Sequence, residues 1–97
     1  MKVIKEVFEF EWDKGNIGKN IKHKVEDKEA EELFLDEGKV IYKDRSHSKG
    51  EKRFIILGET KKGRLLFIAF TYRKKKIRII SARDINTKEV KLYEETT

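Results

Sequence analysis

Alternating apolar and polar positions at the start of the chain, and apolar runs in its second half, are typical of β-strands. From Ile4 to Trp12 the aromatic side chains fall on every second residue, which predicts a half-buried strand with an aromatic inner face. Later runs rich in β-branched residues predict four more strands, the last three joined by turns short enough for hairpins. These strands are Val40–Tyr42, Arg53–Gly58, Arg64–Tyr72 and Lys76–Ala82.

Helical spacing predicts a first helix directly after that opening strand. Asp13 is suited to cap it, and Ile17 and Ile21, four residues apart, would share its inner face. Gly15 and Gly18 weaken this helix by roughly 1 kcal/mol each, so we expect packing to hold it.

Two further helices complete the pattern. One is predicted from Asp27 to Asp36. The other begins at Asn86, which forms a capping box with Glu89, and turns Val90 and Tyr93 inward. Two N-terminal helices, a small antiparallel sheet and one C-terminal helix make an α+β fold.

Composition bounds the possibilities further. Ninety-seven residues with 37% apolar content suit one domain, which we predict over 1–97. Twenty-four basic against eighteen acidic residues give a net charge of +6, which favours a polyanionic partner such as nucleic acid. A charged, solvated surface would explain the same composition.

Several chemistries lack their residues. The chain has no cysteine, which excludes disulfides and thiolate zinc sites, and it has no phosphate-binding glycine loop, nucleophile elbow or zinc-protease helix. We read Glu29, Glu31 and Glu32 as a solvated helix face, so we predict no metal and no cofactor. No membrane-length apolar run or signal peptide is present, so we predict a cytoplasmic protein that does not act at a membrane.

The segment from Lys76 to Arg83 combines core and candidate site. Its isoleucines predict a buried strand, while Arg78 and Arg83 add two rigid guanidiniums shaped for phosphate oxygens. The alternative is that these arginines simply reach water from the strand ends.

Further positive groups recur at strand ends and in nearby segments. Since adjacent strands lie about 4.8 Å apart, we expect several of them to converge on one phosphate. The predicted group comprises Arg53, Arg64, Arg73, Arg78 and Arg83, with Lys22 and His23 as further RNA contacts.

Converging cations would stabilise a pentavalent phosphorane without a metal, and RNA supplies its own 2′-OH nucleophile. His47 is a candidate acid or base because histidine titrates near pH 6.5, and Glu51 would orient it or act as the base. Tyr72 is a candidate for stacking on an RNA base. The alternative is that His47 is a surface loop residue without a catalytic role and that Glu51 only forms a surface salt bridge.

Several of these residues also carry a likeness to a known family. In order and spacing, the chain from about residue 8 to 95 resembles the BrnT family of type II toxins. The matching stretches are Phe10-Glu11-Trp12-Asp13, Asn20 with Lys22-His23 and Val25, His47, Glu51 with Arg53-Phe54, Gly63-Arg64-Leu65-Leu66, Ile77 to Arg83 and Tyr93-Glu94.

That resemblance implies a RelE-like toxin fold, metal-independent RNA cleavage and growth arrest. It also implies a BrnA-like antitoxin with a DNA-binding domain, through which the complex would contact DNA. Arg64 and Arg83 match positions that contact the scissile phosphate in RelE-like folds, and Arg53 holds a similar place one strand earlier. Lys14 and Lys24 stand where the family usually has Pro and Gly, which should affect helix ends more than the site.

Two other functions fit the same residues. The chain could be a basic module that binds RNA or a partner without cleaving anything, or the structural half of a transcriptional repressor complex. A cleavage assay on the free protein separates RNA cleavage from both of these functions.

Overall fold

The computed structural model describes residues 8–45 and 50–96, and its four strands form one antiparallel sheet in chain order. The strands are β1 (Val40–Lys43), β2 (Arg53–Glu59), β3 (Leu65–Arg73) and β4 (Lys76–Asp84). Each matches its predicted strand to within two residues at either end. The α+β prediction with an antiparallel sheet is therefore confirmed.

Both faces of the sheet are covered, as the apolar middle strand predicted. Because successive side chains point to opposite faces, Ile68 on β3 lies in one core and Ala69 in the other. The larger core, beneath the N-terminal half of the chain, includes Val25, Ala30, Leu33, Phe34, Ile56, Leu66, Ile68, Phe70, Ile77, Ile79 and Ala82. The smaller core lies beneath the C-terminal helix and is built on Ile55, Leu57 and Ala69.

Two α-helices lie within the described residues. Helix α1 (Asp27–Glu32) continues into a 3-10 turn at Leu33–Leu35, and helix α2 (Thr87–Thr96) follows the sheet. The predicted capping box of α2 is confirmed: Asn86 Oδ1 accepts a hydrogen bond from the Glu89 N–H at 2.9 Å, and Glu89 Oε1 accepts one from the Asn86 N–H at 3.0 Å. Neither helix is long and apolar enough to cross a membrane.

The predicted first helix is wrong. Residues 14–18 form turns, and only Lys19–His23 forms a short 3-10 helix. Ile17 and Ile21 are 58% and 55% exposed, so they form no inner face. Gly18, the residue that precedes the 3-10 helix, adopts a left-handed φ of 66°, so one continuous helix cannot run from Asp13 through this position.

The predicted first strand is reduced to a single bridge in its described part. Ile4 to Val7 lie outside the described residues, and the remainder pairs with β4 at Phe10 and Ile77. Glu11 donates its N–H to the Ile77 carbonyl at 2.8 Å, and the Ile77 N–H is donated to the Glu9 carbonyl at the same distance. This segment covers the start of the outer edge of β4.

Two buried asparagines cover the rest of that edge. The Asn16 amide donates to the Ile79 carbonyl at 3.1 Å, and Asn20 Oδ1 accepts the Ala82 N–H at 2.9 Å. These side chains occupy positions where a neighbouring strand would otherwise bond, which protects the edge from pairing with other chains. The turns of residues 14–18 are therefore fixed by side-chain bonds, which compete with helix formation.

Candidate active site

At one end of the sheet, consecutive residues in three strands divide between its two faces. Arg53 of β2, Arg73 of β3 and Arg78 of β4 turn toward the face that carries α2. The apolar or aromatic residue next to each of them turns toward the opposite face. The pairs are Arg53 with Phe54, Arg73 with Tyr72, and Arg78 with Ile77. The three arginines line one cavity of about 350 Å³ together with Gly15, Asn16, Lys19, Glu51, Ile79 and Ile80, which we call the arginine cavity.

Arg78 is held more firmly than Arg73. Its Nη1 and Nη2 bond the two Asp13 carboxylate oxygens at 2.8 and 2.9 Å, and Nη1 also reaches Glu11 at 3.1 Å. The hydrogen bond between Arg78 and Asp13 lowers the pKa of Asp13 and raises that of Arg78, so both stay charged at neutral pH. Gly15 leaves room for this fork, since a Cβ there would lie 2.5 Å from Nη2.

Arg73 is more accessible. Its Nε lies 3.5 Å from Glu11 and its Nη1 lies 3.9 Å from Glu51, both longer than the contacts of Arg78, and its side chain is 46% exposed. Glu11 thus contacts two of the three arginines. An incoming phosphate would meet the Arg73 guanidinium with little competition from these carboxylates.

Asn16 positions the acidic side of the cavity. Its Oδ1 accepts the Asp13 N–H at 2.8 Å, and its amide donates to the Glu11 carbonyl at 2.9 Å as well as to Ile79. Sequence reasoning assigned no site role to these three residues or to Lys19. The signal was present for two of them, because Glu11 and Asp13 alternate with the inward aromatic residues and so lie on the opposite side.

Arg64 lies elsewhere, on the side of α1. Its Nε bonds Asp84 at 2.8 Å, Nη1 bonds the Lys24 carbonyl at 2.6 Å and Glu29 at 3.1 Å, and Nη2 bonds the His23 carbonyl at 3.3 Å. The hydrogen bond from Arg64 also lowers the pKa of Asp84. The guanidinium therefore fastens the end of the 3-10 helix to β4.

Arg83 lies on the α2 face of the sheet, but like Arg64 it is already paired with a carboxylate of the chain. Its guanidinium stacks on the Phe67 ring at 3.8 Å and forms a two-point ion pair with Glu89 at 2.8 and 2.9 Å. Burial opposes ionisation of Glu89, but the bonds from Arg83 and the Asn86 N–H outweigh it and lower the pKa of Glu89.

The expectation that Arg64 and Arg83 gather in one pocket is therefore wrong. Arg83 lies opposite Phe67 in the register and shares its face, whereas Arg64 turns to the other side of the sheet and contacts the N-terminal layer. Strand alternation separates the two arginines, and each has its own carboxylate partner.

The remaining predicted site residues are dispersed. Lys22 and His23 are exposed on the 3-10 helix, outside the lining of the arginine cavity. Tyr72, 57% exposed, lines an apolar cavity on the opposite face. His47 lies outside the described residues. Within the described ranges, no group of three or more histidine, aspartate or glutamate side chains is arranged to hold a metal ion.

Comparison with known proteins agrees with the resemblance in the sequence. A family model described as "Ribonuclease toxin, BrnT, of type II toxin-antitoxin system" matches residues 12–89, a range that contains the whole lining of the arginine cavity. No curated protein sequence matches the chain at a significant level. From the length of the family match, the chain belongs to the BrnT family of ribonuclease toxins of type II toxin-antitoxin systems.

Proposed function

We propose that this chain is an endoribonuclease that holds the RNA backbone in the arginine cavity. The observation that carries the proposal is the placement of Arg53, Arg73 and Arg78, from three adjacent strands, around one cavity in a chain of a ribonuclease family. Arginine presents several donors in a planar fork that matches phosphate oxygens. Three such groups in one cavity suit a bent phosphodiester.

The proposed reaction needs no metal. The 2′-OH oxygen attacks the adjacent phosphorus, a base takes the 2′-OH proton, and the bond from phosphorus to the 5′ oxygen breaks as an acid protonates that oxygen. The products are a 2′,3′-cyclic phosphate and a 5′-OH. Guanidiniums stabilise the extra negative charge of the phosphorane, which is the usual role of fixed cations in phosphoryl transfer.

The acid and base roles remain predictions for Glu51 and His47. Glu51 lines the arginine cavity and is 46% exposed, so its carboxylate is accessible to a bound 2′-OH. His47 stands four residues before it in the chain. The two assignments are separated by Glu51→Gln and His47→Ala, because replacing the acting base removes its limb of the pH–rate profile.

In this proposal, some of the arginines act in the RNA site and others stabilise the fold. Arg73 contacts the phosphate because it is the most open, while Arg78, fixed by Asp13, shapes the cavity wall. Arg64 and Arg83 hold the fold together through their own carboxylates. Lys22, His23 and Tyr72 would meet only parts of the RNA that extend beyond the cavity.

The cellular setting follows from the family. We propose a single-domain, RelE-like toxin of the cytoplasm that arrests growth by cutting RNA. A BrnA-like antitoxin with a DNA-binding domain would neutralise it, and the complex would bind DNA through that domain.

The test compares arginine variants in an RNA cleavage assay with EDTA present. Arg73→Ala should lower the rate about 100-fold or more, the loss seen when one transition-state donor is removed. Arg83→Ala, matched in residue type and on the same face, should keep most of the activity of the folded protein. Loss of activity in Arg83→Ala but not in Arg73→Ala, with both variants folded, would move the site away from the cavity.

A second candidate is RNA binding without cleavage, which the net charge of +6 and the three arginines of the cavity would support. In that case, RNA binds with a logarithmic affinity that falls linearly with the logarithm of salt concentration, and no product forms. An active-site knockout that leaves both binding and product unchanged would point to a contaminating nuclease.

A further inference from the structure

An apolar cavity of about 460 Å³ lies behind the arginine cavity, at the same end of the sheet but on the opposite face. Its walls include Phe8, Phe34, Phe54 and Phe70, and its mouth is bordered by Ile41 and Tyr72. Ile41 is 47% exposed on β1, the strand at the open end of the sheet order. A cavity of this size and lining is typical of binding sites for apolar groups.

The charges around the mouth of the cavity favour the binding of an acidic segment. Lys75 lines the cavity, and Lys39 lies with its ammonium 6.0 Å from the Phe8 ring. Glu9 contributes one negative charge. With a net charge of +6, a second copy of the chain would be repelled, whereas an acidic segment would be attracted.

The lining also discriminates between a side chain and a nucleobase. A buried base needs partners for the donors and acceptors along its edge, and six of the nine lining residues, Phe8, Phe34, Ile41, Phe54, Phe70 and Ile77, have side chains that offer none. Aliphatic or aromatic side chains need no such partners. The cavity therefore suits a hydrophobic anchor of a protein better than an RNA base.

We propose that this cavity receives an apolar side chain carried on an acidic segment of the antitoxin. The antitoxin is the partner that membership of a type II system provides, and its docking here does not depend on the cleavage mechanism. Buried apolar anchors surrounded by complementary charge are the usual centre of such interfaces.

The position of the cavity explains how such an anchor would block a site on the other face. Tyr72 and Arg73 are consecutive on β3, and Ile77 and Arg78 are consecutive on β4, so the two cavities lie back to back beside one hairpin. An extended segment anchored at Tyr72 would pass over the hairpin tip and bring its carboxylates to Arg73. This second step rests on the proposed function of the arginine cavity.

The test uses the proposed BrnA-like antitoxin of this toxin, purified and titrated against the free toxin. Ile41→Asp places a charge at the cavity mouth and should weaken the affinity at least 30-fold. Leu92→Asp, a control on α2 at a similarly exposed leucine (40%), should change it less than threefold. Ile41→Asp should still cleave RNA at the wild-type rate, so failure of docking and failure of the proposed function are distinguishable.

Three results would overturn the proposal. One is Ile41→Asp binding within threefold of the wild type. Another is a loss of RNA affinity in that variant in place of antitoxin affinity, which would make the cavity an RNA subsite, and the third is dissociation of a toxin homodimer. Should Ile41→Asp fail to fold, methyl NMR on the wild type decides, because the Ile41 methyl signal must shift when antitoxin is added.

Discussion

Asn16→Ala tests whether a side chain holds the N-terminal segment against the sheet. The substitution removes three hydrogen bonds of 2.8, 2.9 and 3.1 Å from a residue that is 3% exposed. At about 1 kcal/mol for each bond, the free energy of unfolding should fall by about 3 kcal/mol. For a domain of this size, that corresponds to a melting temperature lower by roughly 12 to 24 °C.

Urea denaturation followed by the fluorescence of Trp12 would measure this loss. Ile17→Ala is the matched control, because Ile17 is 58% exposed and its truncation should change the free energy of unfolding by less than about 0.5 kcal/mol. A loss of less than about 1 kcal/mol in the free energy of unfolding for Asn16→Ala would refute the inference that Asn16 holds the N-terminal segment against the edge of β4. An equal cost for both variants would instead favour the helix with an inward Ile17.

Three further predictions follow from named contacts. Gly15→Ala should displace the Arg78 guanidinium and lower RNA cleavage at least tenfold, measured on protein with an unchanged circular dichroism spectrum. Burial, then the hydrogen bond to Asp36, raises the pKa of Tyr93 to about 12, so an ultraviolet titration should give that midpoint and Asp36→Asn should lower it. Because the folded pKa lies above the unfolded value near 10, the stability from this group is complete below pH 10 and is lost as the pH rises through about 12. Arg64→Ala should lower the melting temperature yet keep the cleavage rate of the folded fraction, and the reverse outcome would restore Arg64 to the site.

The strands and the C-terminal helix could be predicted from the sequence because their signals are local. Runs rich in β-branched residues predicted β1 to β4, and Asn86 with Glu89 predicted a capped helix start, whereas the period of two up to Trp12 corresponds to only a single bridge to β4 in the described residues. The apolar run of β3 likewise predicted that both faces of the sheet are covered. The same local logic failed at Ile17 and Ile21, where helical spacing was overridden.

That failure has a tertiary cause. Asn16 and Asn20 have the same four-residue spacing as the isoleucines, and the outer edge of β4 gives the Asn16 Nδ2 an acceptor and the Asn20 Oδ1 a donor that a helix would not. The four-residue spacing does not show whether the isoleucines or the asparagines are buried. The bonding partners of the asparagines on β4 lie more than sixty residues away in the chain. In the fold, Asn16 and Asn20 are buried and bonded to the outer edge of β4, and the two isoleucines are exposed instead.

By itself, the sequence determined the sheet, the basic charge, the family and the candidate arginines. Tertiary structure decided which arginines share a cavity, because strand parity and register assign each side chain to a face. It joined Arg53, Arg73 and Arg78 and separated Arg64 from Arg83. A guanidinium at a strand end looks the same in the sequence whether it meets a carboxylate of its own chain or an open cavity, since only the packed fold brings the carboxylates into place.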